Sequence, residues 1–459
     1  PSRPFVSSRR GFLAGATASL AMSAAVEALE EPFAAPPAWE QRSDKKIRIG
    51  VVGGGFGQSF HWHEHPNCIV EAVSDLRPDR LSQLQGKYKC QKAYESLEKL
   101  ILDPAIDAVA VFTEAPNHAR HVIDCMEHGK HVISAVPACC TLEDAARMKE
   151  VKERTGLKYM MAETSSYRWE TITARRLLRD GLLGELIYTE GEYYHPMDKA
   201  GRDALWYYKD QRTWRYAYPP MLYPTHSSAF LVGVTGERLV KVSCIGWGDT
   251  ENDPALRDNA YNNPFNNAMA MFLTDQGHPF RCNVAWDIKA HGERAQWFGT
   301  RGAMYMPGSG GQPFVLQLPD QTLSGLPDYW HMVPEAMRYD TGHGKSHPFI
   351  TNEFVMALVE DREPLVDLYE ALAFTVPLFL VIFAAMYVGL ASNSPSNFNV
   401  GSLTRTDSLY FTVTVFATVG FGDITATSQL TRAIVTVQML LDLVVLGLLI
   451  RVFFGAVQR

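Results

Sequence analysis

Across its 459 residues the sequence has no basic stripe, and its net charge of −7 gives a nucleic acid nothing to hold, so no nucleic-acid partner is expected. It has no Cys-x-x-Cys pair either. The seven cysteines are Cys68, Cys90, Cys125, Cys139, Cys140, Cys244 and Cys282, an odd number that argues against a full disulfide framework, and they read as small buried hydrophobes. Charged residues are 20% and hydrophobic ones 46%, which excludes a disordered chain. Uncharged apolar runs long enough to span a membrane are absent until the C-terminal end. There Ala371 to Ala391 carries no charge, and Ala433 to Ile450 is broken only by Asp442. Each is long enough to cross a hydrocarbon core of about 30 Å.

What is present begins with a buried-strand pattern, Ile47-Arg48-Ile49-Gly50-Val51-Val52, running into Gly53-Gly54-Gly55-Phe56-Gly57. Glycines suit a tight turn whose backbone must approach a pyrophosphate resting on the next helix N-terminus. The third glycine, Gly57, comes one place earlier than strict GxGxxG spacing, with Gln58 in the usual slot. A second strand, Ile69 to Ser74, ends in Asp75, an acceptor for the adenosine ribose hydroxyls. That favours NAD, while Arg77 and Arg80 close by leave NADP open. The βα rhythm continues through a helix at Tyr94–Leu102, a strand at Ala108–Phe112 and a helix at His118–His128. It closes with a strand at His131–Ser134, a helix capped by Thr141, and a strand at Tyr159–Ala162, which predicts a parallel doubly wound sheet. His61, His63 and His65 alternate. On the helix expected after the glycine loop only His61 and His65 share a face and no third ligand is evident, so no metal is expected.

From about Gly184 strand-like runs follow one another: Leu186–Tyr194, Leu239–Trp247, Ala268–Thr274, Phe280–Trp286 and Ala295–Gly299. The expectation is an α+β domain with an open, mostly antiparallel sheet. Over about residues 46–370 the chain resembles the Gfo/Idh/MocA family of NAD(P)-dependent oxidoreductases. The resemblance rests on the glycine loop, Thr113, His118, Gly129-Lys130-His131-Val132, Leu183-Gly184-Glu185-Leu186, His347-Pro348-Phe349 and Glu363-Pro364-Leu365-Val366-Asp367. It implies a carbohydrate or polyol substrate. Where the family's dehydrogenases usually carry Glu-Lys-Pro, this chain has Ala135-Val136-Pro137, so the lysine that would take a substrate proton is missing.

A subgroup with a similar Val-Pro-Ala sequence is the NAD-dependent glycosidases of the α-N-acetylgalactosaminidase type. The likeness extends to Met160-Met161-Ala162-Glu163-Thr164, Tyr167, Trp214-Arg215 and Tyr223-Pro224-Thr225-His226, although Thr164 and Ala135 replace that subgroup's Asn and Glu. The resemblance implies redox-neutral glycosidase or lyase chemistry, with Tyr223 and His226 as acid and base and Arg215, His195 and Tyr167 on the substrate. The cofactor would be held by Gly53, Gly55, Phe56, Gly57, Asp75, Arg77, Thr113, His118, Val136, Pro137 and Thr164. Rival readings are a plain sugar or polyol dehydrogenase, or a potassium channel with a nucleotide-sensing N-terminal domain.

Over about residues 375–459 the sequence resembles two-helix potassium channels, on Thr414-Val-Phe-Ala-Thr418-Val419-Gly420-Phe421-Gly422-Asp423 between the two apolar runs. The resemblance implies a C-terminal two-helix transmembrane pore-type hairpin. Carbonyls of Thr418, Val419, Gly420, Phe421 and Gly422 would hold K⁺ around the axis of a homotetramer. The expected organisation is a signal and linker over 1–45, an α/β Rossmann domain over 46–165, a substrate domain over 166–370 and the pore segment over 371–459. Two topological signals conflict. Ser8-Arg9-Arg10-Gly11-Phe12-Leu13 before an Ala-rich run resembles a twin-arginine export signal, which would send a folded enzyme outward. A two-helix pore would instead keep both of its flanks in the cytoplasm.

Overall fold

The computed structural model describes residues 36–196, 199–249, 251–290, 292–308, 310–375, 386–416 and 420–439. Thr418, Val419, the Arg9-Arg10 segment and most of the two apolar runs lie outside the described residues.

Strands β1 (Ile47–Val52), β2 (Cys68–Ser74), β3 (Ala93–Tyr94), β4 (Ala108–Val111), β5 (His131–Ser134) and β6 (Tyr159–Met161) form one sheet in the order β3-β2-β1-β4-β5-β6. All its pairings are parallel. The central strands are apolar on both faces because helices cover both sides, as a parallel sheet requires. The chain reverses its direction of winding between β1 and β4, and that switch point opens a crevice at the carboxyl ends of the strands. At its mouth Gly53 adopts φ +102, and a Cβ there would lie 2.2 Å from the carbonyl oxygen of Phe112. Only glycine fits.

No regular helix follows this loop. Two 3₁₀ turns, Phe56–Ser59 and Trp62–Glu64, take its place. Phe60 and Trp62 are both fully buried and stack at 5.7 Å. Residues two apart lie on different faces of a helix, so burying both rings breaks helical periodicity. His61 therefore faces His63 and Glu64, with ligand atoms within 4.8 Å of one another, while His65 is buried against Asn352. The Lys87 ammonium sits 3.0 Å from His61 Nε2, so this cluster already faces a cation of the chain's own. The helix expected over Tyr94–Leu102 shortens to Leu97–Leu100, because Tyr94 joins the sheet edge as β3 and its hydroxyl donates to Asp103 at 3.0 Å.

The second sheet has eight strands. β7 (Leu186–Tyr194) is followed by a separate short hairpin, β8 (Tyr207–Tyr208) and β9 (Gln211–Arg212). Then come β10 (Leu239–Trp247), β11 (Asn267–Thr274), β12 (Pro279–Ala285), β13 (Gly292–Gly299), β14 (Ala303–Tyr305), β15 (Val315–Leu318) and β16 (Gln321–Leu323). Their order is β10-β11-β12-β7-β13-β14-β15-β16, and only β12 with β7 is parallel. One face carries helix Thr225–Thr235 so closely that a Cβ on Gly191 of β7 would lie 2.4 Å from the Ser227 carbonyl oxygen. That contact sets the depth at which His226, on the helix's first turn, meets the sheet.

Near the C-terminus, helix Arg405–Phe416 and flanking segments share a small apolar cluster with Tyr387, Phe398, Phe411, Val415 and Ile424. The Tyr387 hydroxyl donates to Gln438 Oε1 at 2.5 Å, and Gln438 Nε2 donates to the Thr412 carbonyl at 3.0 Å. Gly420 and Gly422 have φ +48 and +79, and Phe421 between them is exposed. Among the described residues no helix is long and apolar enough to cross a membrane.

Candidate active site

A cavity of about 210 Å³ lies where the two sheets meet. Its floor is made by residues just past the ends of four parallel strands: Phe56 after β1, Thr113 after β4, Val136 after β5 and Thr164 after β6. Its roof comes from the second half, through Tyr193 of β7, Trp206, Trp214 and Arg215 of the segment around the β8–β9 hairpin, and Tyr223 and His226.

The chemistry concentrates at His226, buried at the start of its helix. Its Nδ1 donates to Glu163 Oε1 at 2.7 Å, a direction fixed because a carboxylate only accepts. Glu163 is fully buried, and the Ser165 backbone N–H donates to the same oxygen at 2.9 Å. Ser165 Oγ donates to Glu293, which forms a bidentate pair with Arg168 at 2.9 and 2.7 Å. Burial, the largest single influence on His226, disfavours its charged form. The Glu163 and Glu293 carboxylates together outweigh it, and the imidazole pKa ends above its ordinary value. For Glu293 burial again opposes ionisation, but Arg168, His226 and Ser165 overcome it and hold the carboxyl down at about 2. Tyr223 and Tyr193 pack against the His226 ring at centroid distances of 5.2 and 4.5 Å. Burial pushes both phenols above their ordinary range, so they stand as neutral hydroxyls. Arg215 lies over the Trp214 ring at 4.3 Å and within 5.9 Å of the Tyr223 ring.

Of the residues singled out from the sequence, His226, Tyr223, Arg215, His195, Phe56, Thr113, His118, Val136 and Thr164 line this cavity. Tyr167 does not: its ring is buried in the turn Thr164–Tyr167 and packs in the hydrophobic core. The turn directs its aromatic inward to the core. His118 reaches the cavity with Nδ1 2.7 Å from the Pro137 carbonyl and Nε2 3.1 Å from the Thr113 carbonyl; burial lowers its pKa, so the neutral ring donates to one of the two while lying between both loops. Asp75 accepts from the Gly54 N–H at 2.6 Å and from the Arg77 N–H at 2.7 Å, which shapes the glycine loop from below. Arg77 lies over Tyr208 at 4.0 Å and pairs with Asp79 at 3.2 Å. Gly53, Gly55, Gly57 and Pro137 frame the crevice without lining the cavity.

The donor set fits an NAD-type cofactor. A loop with space at Gly55, where a Cβ would come no closer than 3.4 Å to Arg80, leads into the crevice, and the buried Thr164 hydroxyl at its far end has no partner among the described residues. Sequence reasoning passed over Tyr193, Glu293, Arg168 and His343. Glu163 stood inside the quoted Met160–Thr164 string and Tyr193 two places before His195. Glu293 carried no local signal at all.

A parallel sheet in this strand order, with a crevice at its carboxyl edge roofed by a second sheet, is the arrangement of a dinucleotide-binding fold. Residues 47–163 match the Gfo/Idh/MocA family model, described as an oxidoreductase family with an NAD-binding Rossmann fold. Residues 374–459 match a model described as an ion channel. The chain is similar to glycosyl hydrolase family 109 protein 1 of Bacteroides thetaiotaomicron, 30% identical over 33% of this chain and 35% of that protein. It is also similar to glycosyl hydrolase family 109 protein 2 of Akkermansia muciniphila, 27% identical over 47% and 48%. It thus spans about a third to a half of the length of these relatives. Its fold is that of the aldose-aldose oxidoreductase from Caulobacter crescentus complexed with glycerol, with TM-score 0.60, 19% identity and coverage of 74% of this chain and 98% of that one. A levoglucosan dehydrogenase complexed with NADH and levoglucosan gives TM-score 0.61, 15% identity and coverage of 72% and 95%.

Proposed function

We propose that residues 46–370 form a carbohydrate-active enzyme that uses NAD without net consumption, in glycosidase or lyase chemistry. The observation that carries this reading is His226, which lines the cavity with the buried Glu163 behind it, while Val136 stands where a dehydrogenase would have its lysine. When bound, NAD supplies a reversible hydride acceptor at the crevice. Gly53, Gly55, Gly57, Phe56, Asp75, Thr113, Val136, Pro137 and Thr164 would hold it, with His118 lying between the loops. The stacking of Arg77 on Tyr208 leaves that guanidinium less free for a 2′-phosphate and favours NAD over NADP.

The chain's own residues would then work as follows. His226 takes the proton of a ring hydroxyl as the carbon beneath it gives up its hydride. The resulting ketone acidifies the neighbouring C–H, whose proton passes to a water in the cavity as the glycosidic oxygen leaves with the proton of Tyr223; both protons are restored in the hydration that follows. Water then adds, and return of the hydride restores the alcohol, so atoms and electrons balance with no net oxidation. Tyr223, a neutral phenol, donates to the departing oxygen, while Arg215 and His195 orient hydroxyls.

The second reading is a plain dehydrogenase, in which the same His226–Glu163 pair would act as base for oxidation alone. Turnover in D₂O separates the two. Deuterium at the carbon beside the transient ketone with no accumulating NADH supports the first reading; stoichiometric NADH from a free sugar overturns it.

For the C-terminal segment we propose a two-helix potassium-type pore over 371–459 that needs four copies of the chain, with K⁺ held by carbonyls of residues 418–422. The ion-channel match over 374–459 and the positive φ of Gly420 and Gly422 support it. K⁺ flux into liposomes carrying the purified chain, measured against Na⁺, tests it.

A further inference from the structure

The cavity at His226 is small for the job assigned to it. Its 210 Å³ falls below the roughly 300–1,000 Å³ of sites that enclose a small ligand, and the nicotinamide end of the cofactor must share it. A second chamber of about 760 Å³ opens beside it. Tyr193, His195 and His343 line both spaces, so the two chambers meet at a wall of three rings.

Beyond that wall the lining becomes polar and electrically balanced. Arg294 pairs with Glu192 at 3.0 Å, and Arg168 pairs with Glu293 at 2.7 Å. Guanidinium and carboxylate groups that neutralise one another leave no net field for an anion, and they offer donors and acceptors that a greasy group cannot use. Tyr194 and Gln312 add a hydroxyl and an amide to the same lining. An aromatic wall with a neutral, donor-rich and acceptor-rich space behind it suits a sugar ring, whose C–H faces stack and whose hydroxyls both give and accept hydrogen bonds.

We infer that the outer chamber is a second sugar subsite and that the substrate is a neutral di- or oligosaccharide. One ring lies beside His226, the next lies beyond Tyr193, His195 and His343, and the glycosidic linkage between them sits at that wall. The inference rests on the carbohydrate reading above.

Saturation-transfer NMR on the full-length, NAD-loaded protein tests it. The probes are glucose, galactose and N-acetylhexosamine, each as a methyl glycoside and as neutral α- and β-linked disaccharides. The expected result is a bound disaccharide whose two rings both receive saturation and which binds about tenfold tighter than its methyl glycoside, as one or two added hydrogen bonds would give. Gln312→Ala and Tyr194→Ala should each remove most of that preference and weaken the signal of the outer ring. Saturation confined to one ring, equal affinity for methyl glycosides and disaccharides, or no sugar binding would overturn the subsite. Its failure is distinguishable from failure of the redox-neutral reading, which the deuterium experiment reads separately: a two-ring signal with net NADH formation leaves the subsite standing and removes the elimination chemistry.

Discussion

Nδ1 of His226 lies 2.7 Å from Oε1 of the fully buried Glu163, although 63 positions separate the two in the chain. The carboxylate fixes the tautomer, leaves Nε2 as the nitrogen able to take a proton, and holds the imidazole pKa above its ordinary 6.5 against burial. If the pair is the base, Glu163→Gln should lower kcat/KM by about 10²–10⁴-fold. The acidic limb of the pH profile should also move to lower pH, because the group that raised the pKa has gone. A merely structural Glu163 would lower the rate without moving that limb.

Glu293 gives a stability prediction. Its folded pKa of about 2 lies below the ordinary 4.5, so its stabilisation is present above pH 4.5 and is lost as pH falls from there toward 2. His226 runs the other way. Its folded pKa is raised, so its contribution is complete below 6.5 and is lost as pH rises through the higher folded value. Urea unfolding of the full-length chain should therefore be hardest between these limits. Glu293→Ala leaves the Arg168 guanidinium without its partner in a largely buried place and should cost about 3–5 kcal/mol. An unchanged unfolding midpoint at pH 6 would refute that assignment.

Much of this fold was readable because its strands are short apolar runs between turn residues: β1, β2, β4 and β5 begin and end within a residue of where the pattern puts them. The stretch Phe56–Glu64 was not readable. Its sequence tolerates a helix, and only the burial of both Phe60 and Trp62 against distant Phe112 and Phe354 breaks it. The site divides in the same way. Tyr223, His226 and the residues after each parallel strand came from local motifs. Arg168 and Glu293 are bound across 125 positions, and no spacing in the sequence announces a contact between a helix start and a strand so far along the chain. Tyr167 misled for the opposite reason, since a motif fixes a residue's position without fixing which way its side chain turns.

The glycine loop separates a folding defect from a binding defect. Gly53→Ala forces a side chain into φ +102 against the Phe112 carbonyl, a strain of about 1–3 kcal/mol before the 2.2 Å clash is counted, and should destabilise the protein outright. At Gly55 an added Cβ meets nothing closer than the flexible Arg80 side chain at 3.4 Å, so Gly55→Leu should leave the fold standing. Its side chain would stand where a pyrophosphate approaches, and NAD(H) affinity by calorimetry should fall about tenfold or more, at least 1.4 kcal/mol. Equal NAD(H) binding by Gly55→Leu and the parent, or none by either, would remove the loop from the cofactor site.

The last prediction concerns how the enzyme and the pore segment share one chain. If residues 418–422 form the proposed filter, it enters from outside between two helices whose free ends face the cytoplasm, and Arg451 and Arg459 after the second apolar run suit that side by the positive-inside tendency. Two spans then return the preceding flank, and the enzyme with it, to the cytoplasm. If Arg9 and Arg10 belong to the twin-arginine signal their sequence resembles, they argue for the opposite side, since such a signal exports folded domains. The chain around residue 371 has the same two-sided character. Helix Leu368–Thr375 begins as a soluble-domain helix, with Asp367 capping it through the Tyr369 and Glu370 N–H groups at 2.8 and 3.0 Å, and the sequence then passes directly into lipid-type residues. Obeying one signal inverts the other, so we expect enzyme and pore never to work together in one molecule. Protease treatment of intact spheroplasts, with K⁺ flux recorded from the same preparation, decides it. An enzyme domain digested from outside should come without selective current, and selective current should come with a protected enzyme domain. Outside digestion of the enzyme together with K⁺-selective current from intact, single-species chains would defeat the argument.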